Sequence, residues 1–133
     1  MEFGIFIQNY LPNHRRENDP DAEHHVIMDE LDLVIAADKA GFKYAWLPEH
    51  HFLDEYSHLS ANDVVAGYLA NATERIHIGS GIWPTNPQQN HPIRLAERAA
   101  MCDHLSEGRF EFGTGRGAGS HEVGSFMNPR RCE

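Results

Sequence analysis

The chain has 133 residues, a single-domain length, and its 41% hydrophobic content lies well above the disordered range. Twenty acidic against eleven basic residues give a formal net charge of −9, the wrong sign for a surface that grips nucleic-acid phosphates. Cys102 and Cys132 make neither a disulfide framework nor a Cys-x-x-Cys metal site, so a reduced, cytoplasmic setting is the default, and the acid at Glu2 with only a short apolar run after it reads as neither a signal peptide nor a membrane span.

Phe3 to Ile7 is an apolar run bounded by Asn9 and Pro12, and it reads as a first strand. Residues 12 to 20 are polar with two prolines and read as a loop. Ile27, Leu31, Val34 and Ile35 then fall on one face at the helical period, and Gly41 stands where a glycine ends such a helix. Tyr44 to Leu47 is a second strand, stopped by Pro48. A second helix follows, with Val64, Val65, Tyr68 and Leu69 on its apolar face. Ile76 to Ile82 is a third strand. Asn90 can cap a third helix, Pro92 suits its first turn, and Ile93, Ala96, Ala99 and Ala100 form its buried stripe. Phe110 to Phe112 is a fourth strand, and the glycine-rich stretch from Gly113 to Gly119 reads as irregular.

This alternation implies right-handed βαβ units and a parallel sheet. The class is α/β, and an open doubly wound sheet and part of a (βα)8 TIM barrel both fit. In either, chemistry sits at the C-terminal strand ends, which is where the unusual residues lie.

Glu49-His50-His51 directly follows the second strand, and a histidine held there can act as a general acid or base near neutral pH. A structural pair of loop histidines is the plainer alternative. A zinc site is weaker still, because the first strand ends in Gln8-Asn9-Tyr10 and leaves the ligand set incomplete. Gly79-Ser80-Gly81 would let a flat ligand approach the backbone, or would be a simple bulge. Gly113-Thr114-Gly115-Arg116-Gly117-Ala118 fits the relaxed dinucleotide fingerprint poorly, since residues 119 to 124 show no helical pattern to follow it. It does suit an anion-contact loop, with bare backbone N–H groups and the fork of Arg116.

Taken in order, Phe3-Gly4-Ile5-Phe6, Trp46-Leu47-Pro48-Glu49-His50-His51-Phe52, Ile78-Gly79-Ser80-Gly81, His91-Pro92-Ile93-Arg94-Leu95-Ala96-Glu97, Leu105-Ser106-Glu107-Gly108-Arg109-Phe110 and Gly113-Thr114-Gly115-Arg116-Gly117 resemble the bacterial-luciferase-like flavin monooxygenases. The resemblance covers essentially the whole chain. It implies a TIM barrel that binds reduced FMN, or in some branches a deazaflavin coenzyme, and uses dioxygen to oxidise a small organic substrate. A separate flavin reductase is then expected as a partner. His50 matches the active-site histidine. Glu49, Gly81, Ile82, Gly115 and Arg116 match cofactor-contacting positions, with a non-proline cis peptide at Gly81–Ile82 and Arg116 near the flavin phosphate. Luciferase itself has a cysteine where this chain has Gly115, which argues against light emission as such.

A complete barrel needs about 250 residues. The expectation is therefore that residues 1–133 form one partial domain, the N-terminal half of such a barrel, with four strands and three helices. Such a half-barrel is expected to self-associate. Two other readings stay open: a non-catalytic half-barrel remnant, and a metal-dependent hydrolase on the same barrel.

Overall fold

The computed structural model describes residues 1–117 and 119–127. Four strands, β1 (Gly4–Phe6), β2 (Tyr44–Leu47), β3 (His77–Ser80) and β5 (Phe110–Glu111), form a sheet in the order β1-β2-β3-β5. Every neighbouring pair is parallel, with Ile5 beside Ala45, Ala45 beside Ile78 and Ile78 beside Phe110. Sequential order in a parallel sheet is what consecutive right-handed crossovers produce.

The crossovers are helical: α2 (Ala22–Ala40), α3 (Asn62–Ala72) and α4 (Pro92–Leu105). Gly41 closes α2 in the left-handed conformation, at φ 86°, as its position in the sequence implies. Side chains alternate across a strand, so the registered row Ile5, Ala45, Ile78 and Phe110 shares one face. That row meets Leu31, Val34 and Ala37 of α2, Ala66, Leu69 and Ala70 of α3, and Leu95 and Cys102 of α4 in one core. The other face carries the row Phe6, Trp46, Gly79 and Glu111, and Phe6 there is 49% exposed.

Several local expectations are corrected. Residues 12 to 20 are not all loop: α1 spans Asn13–Asn18, tied down by Glu55 and Asp54, whose carboxylates accept from the Asn13 backbone N–H and from Arg16. These are tertiary contacts that no local pattern announces. The apolar faces of two helices are rotated from the expected ones. Val64 (70%), Tyr68 (46%) and Ile93 (65%) are exposed, while Ala66, Ala70, Leu95 and Cys102 are buried. Alanines serve as well as larger residues where a helix lies close against a sheet, so size misleads. Asn90 does not cap α4; the ring of His91 does, accepting from the Ile93 N–H at 3.3 Å, and Asn90 is buried instead.

The glycine-rich stretch is not wholly irregular. After β3 the chain makes β4 (Trp83–Pro84), which pairs in parallel with β6 (Thr114–Gly115) as a second, two-stranded sheet. A further helix, α5 (Ser120–Met127), begins inside the stretch 119 to 124 that reads as irregular in the sequence; its apolar spacing, Val123 with Phe126 and Met127, emerges only beyond residue 124. The described residues thus hold five helices, not three. Ala118 and Cys132 lie outside the described residues.

The Leu-Ser-Glu-Gly-Arg-Phe segment has a structural task. The Arg109 guanidinium donates to the carbonyls of Ala70 (2.8 Å), Thr73 (3.2 Å) and Ile76 (2.9 Å), satisfying carbonyls at and just beyond the C-terminus of α3. Asp38 does the complementary work at the same corner: its carboxylate accepts from the N–H groups of Glu74, Arg75 and Ile76 at 2.7–3.0 Å. Together they fix the angle at which α3 enters β3.

Candidate active site

The C-terminal ends of β2 and β3 lie side by side, because Leu47 registers with Ser80. The segment Glu49-His50-His51 leaves β2 here. Its backbone is anchored by the His50 N–H on the Leu59 carbonyl at 3.0 Å. The two imidazoles then take different partners. His50 Nδ1 lies 3.2 Å from Glu122 Oε1 of α5, and its ring centroid is 5.4 Å from that of Tyr56. His51 Nε2 lies 3.1 Å from Glu49 Oε1, and its ring meets Phe126 of α5 edge-on at 5.0 Å. The same Glu122 oxygen accepts the His51 backbone N–H at 2.8 Å.

An ionised carboxylate only accepts hydrogen bonds. Glu122 therefore draws the proton of a neutral His50 to Nδ1 and leaves the Nε2 lone pair available. The Glu122 side chain is 8% exposed and that of His50 30%, so the acid is inside and the base at the rim. This is the arrangement of a base held in one tautomer by a buried orienting group.

Sequence reasoning misses Glu122 because it misses α5. A serine followed by an acid in the first turn is a helix-start signal, and Ser120 and Glu122 stand in that relation. What the sequence could not supply is that this turn lands on the loop after β2, 71 residues away along the chain.

Glu49, expected at the cofactor, turns its side chain toward α4. Its Oε1 accepts from Asn90 Nδ2 and Gln89 Nε2, both at 3.3 Å, and Arg98 lies 3.9 Å from Oε2. Gly81 donates its N–H to the Leu47 carbonyl at 2.6 Å. A Cβ on Gly79 would collide with the Trp46 ring, and one on Gly81 would come within 2.9 Å of the Phe6 ring. The two glycines thus leave room for the Trp46 and Phe6 rings to lie against the backbone. The peptide bonds of the described residues are all trans, Gly81–Ile82 included, against the cis bond expected there.

Gly115 ends β6, its carbonyl accepting from the Thr85 N–H at 2.8 Å, and Ile82 packs where its Cβ would be. Arg116, the next residue, is exposed. His50, Gly81, Ile82, Gly115 and Arg116 each stand at or just after the C-terminal end of a strand, and the Glu49 carboxylate is bonded to His51, Gln89 and Asn90. Cys102, by contrast, belongs to the core: burial, and then the nearby Asp63 carboxylate, push its thiol above the ordinary range.

A parallel sheet in sequential order with helical crossovers defines an α/β protein. The luciferase-like monooxygenase pattern matches residues 1–131, and the chain belongs to that family. It is 36% identical over 119 residues to the alkanal monooxygenase alpha chain of the Kryptophanaron alfredi symbiont, a match covering 88% of this chain and 30% of that protein. Among solved structures it is similar to the FMN complex of the oxygenating constituent of 3,6-diketocamphane monooxygenase from Pseudomonas putida. That match has a TM-score of 0.77 at 20% identity, covering 96% of this chain and 32% of the other, and it speaks for the fold alone. It is also similar to the coenzyme F420-dependent tetrahydromethanopterin reductase of Methanopyrus kandleri. There the TM-score is 0.62 at 30% identity, covering 95% of this chain and 29% of the other. The chain thus spans about a third of the length of the proteins it matches.

Proposed function

We propose that this chain carries the acid–base half of the active site of a flavin-dependent monooxygenase, on the first four core strands of a (βα)8 barrel. The observation that carries the reading is the His50–Glu122 pair at the C-terminal end of β2: a base with its tautomer set from inside the protein. Family membership supplies the reaction class.

The donor set fits a flavin. Arg116 is an exposed guanidinium beside a glycine strand end, suited to a phosphate. The backbone at Gly81, Ile82 and Gly115 lines the strand ends where a ring would rest. Reduced FMN, or a deazaflavin coenzyme as the alternative, supplies the electrons and with dioxygen the oxidising power. The chain's own residues do the rest. Arg116 holds the phosphate, the glycine backbones seat the ring, and Phe6 and Trp46 keep water from it. His50 accepts and returns a proton at Nε2. The substrate is a small organic molecule, a separate reductase delivers the reduced flavin, and the setting is cytoplasmic.

The test is turnover by a full-length form carrying this segment, with reduced FMN and dioxygen. His50→Ala should lower the rate by about 10²-fold or more, the scale for losing an acid–base group. A rate equal to that of the unaltered protein would remove His50 from the mechanism. In the isolated chain β1 and β5 are sheet edges and Phe6 stands half exposed, so self-association is proposed as well.

A further inference from the structure

Glu49 has an almost fully buried side chain, 4% exposed, yet its Oε2 makes no hydrogen bond. A carboxylate in that position must be held by its surroundings, because burial without partners disfavours the charge. Those surroundings come from three other elements. Arg98 of α4 turns Nη2 toward Oε2 at 3.9 Å, while its Nε and Nη1 donate to Asp63 Oδ2 and Asn90 Oδ1, both at 2.8 Å, and so hold the guanidinium in place. Its guanidinium also lies over the Trp83 ring of β4, 4.8 Å from the centroid. Asn90 bridges from the Pro84 carbonyl, at 3.1 Å, to Glu49 Oε1. Trp83 Nε1 donates to Asn62 Oδ1, and Asn62 Nδ2 reaches the Leu47 carbonyl at 3.4 Å. Arg98, Asn90 and Gln89 thus fix the Glu49 carboxylate from the α4 side and leave Oε1 facing the loop after β2.

What that oxygen holds is His51. Glu49 Oε1 accepts the hydrogen bond from Nε2–H of that ring, and His51 in turn donates its backbone N–H to Glu122 Oε1, the oxygen that orients His50. A chain of contacts thus runs from α4 through Glu49, His51 and Glu122 to the reactive imidazole. We infer that Glu49 is a positioning residue: acting through His51, it fixes where Glu122 sits and hence which nitrogen of His50 is free. It goes beyond the cofactor contact that the resemblance implies for Glu49. It rests on the reading of His50 as the acid–base group, but its test does not require flavin or turnover.

The test uses the 133-residue chain labelled with ¹⁵N-histidine, at alkaline pH where imidazoles are neutral, because ring-nitrogen shifts distinguish protonated from bare nitrogens. The unaltered chain should show His51 protonated at Nε2 and His50 at Nδ1. In Glu49→Leu both should lose the single-tautomer pattern, with His50 moving toward the Nε2–H form of a free imidazole. His58 and His77, paired with Glu23 and Glu111, should not change and so report that the fold is intact. If the leucine variant does not fold, Glu49→Asp keeps the charge beside Arg98 and withdraws the oxygen from His51, and the same loss is expected. Unchanged His50 and His51 patterns in a folded variant would overturn the inference, as would a change confined to His51. Normal tautomers beside a failed turnover assay would instead count against the monooxygenase reading.

Discussion

Glu122 and His50 stand 72 residues apart in the chain and 3.2 Å apart in the fold, with the acid buried and the base at the rim. The pairing depends on α5 folding back over the loop after β2, and Phe126 of the same helix packs on His51 and Phe52 to hold it there. Replacing Glu122 by Ala should leave His50 in place but free to take either tautomer. In a full-length form carrying this segment, turnover should fall by about tenfold or more, while Glu122→Asp keeps part of it. The outcome that would count against the pairing is full activity in the alanine variant.

Arg116 is expected to recognise phosphate. In a full-length form, Arg116→Ala should weaken FMN far more than riboflavin, which has the same ring and no phosphate; a charge-assisted bond of this kind contributes about 1.5–3 kcal/mol. Binding of the two flavins by fluorescence quenching measures it. Equal weakening of both would mean that the substitution disturbs the loop as a whole and that Arg116 does not bind the phosphate.

Asp38 makes the corner between α3 and β3 sensitive to acid. Burial pushes its carboxyl upward, but the backbone N–H groups of Glu74, Ile76 and Arg75 together outweigh that and hold it below the ordinary value of 3.8. A carboxyl lowered on folding stabilises the fold at pH above its unfolded value, and the benefit is lost as pH falls through the folded one. Asp38→Asn should therefore be destabilised at neutral pH by about 1–3 kcal/mol, the scale for leaving buried N–H donors poorly matched. The gap to the unaltered chain should narrow below pH 3.8. Urea unfolding at several pH values checks both statements, and a gap independent of pH would contradict the second.

The isolated 133-residue chain should form a dimer or a larger assembly and retain little flavin. The edge strands β1 and β5 carry unpaired backbone groups, and the aromatic row on the open face is only partly covered. Sedimentation velocity and an FMN titration test this together. A compact monomer that binds FMN at micromolar concentration would show the open sheet to be self-sufficient.

The strand-and-helix alternation is legible in the sequence because period and punctuation are local: Tyr44–Leu47 is a strand with the bounds its sequence implies, and Gly41 ends α2 where a glycine stop signal stands. The histidine doublet is legible because two titratable residues directly follow a strand. Its wiring is not. Whether His50 or His51 faces a buried acid depends on where α5 lands, and α5 is only eight residues long and follows directly on the glycine-rich stretch, so that Val123, Phe126 and Met127, though at helical spacing, are too few to set it apart from that stretch. The buried faces of α3 and α4 differ from expectation for a related reason. Burial is decided by which side meets the sheet, and Ala66, Ala70 and Cys102 fit that close approach while Val64 and Ile93 do not. Local propensity set the elements of this protein; the tertiary structure alone decided which side chains met, because contacts such as Glu122 to His50 and Arg98 to Glu49 join residues that share no local geometry until the sheet has formed.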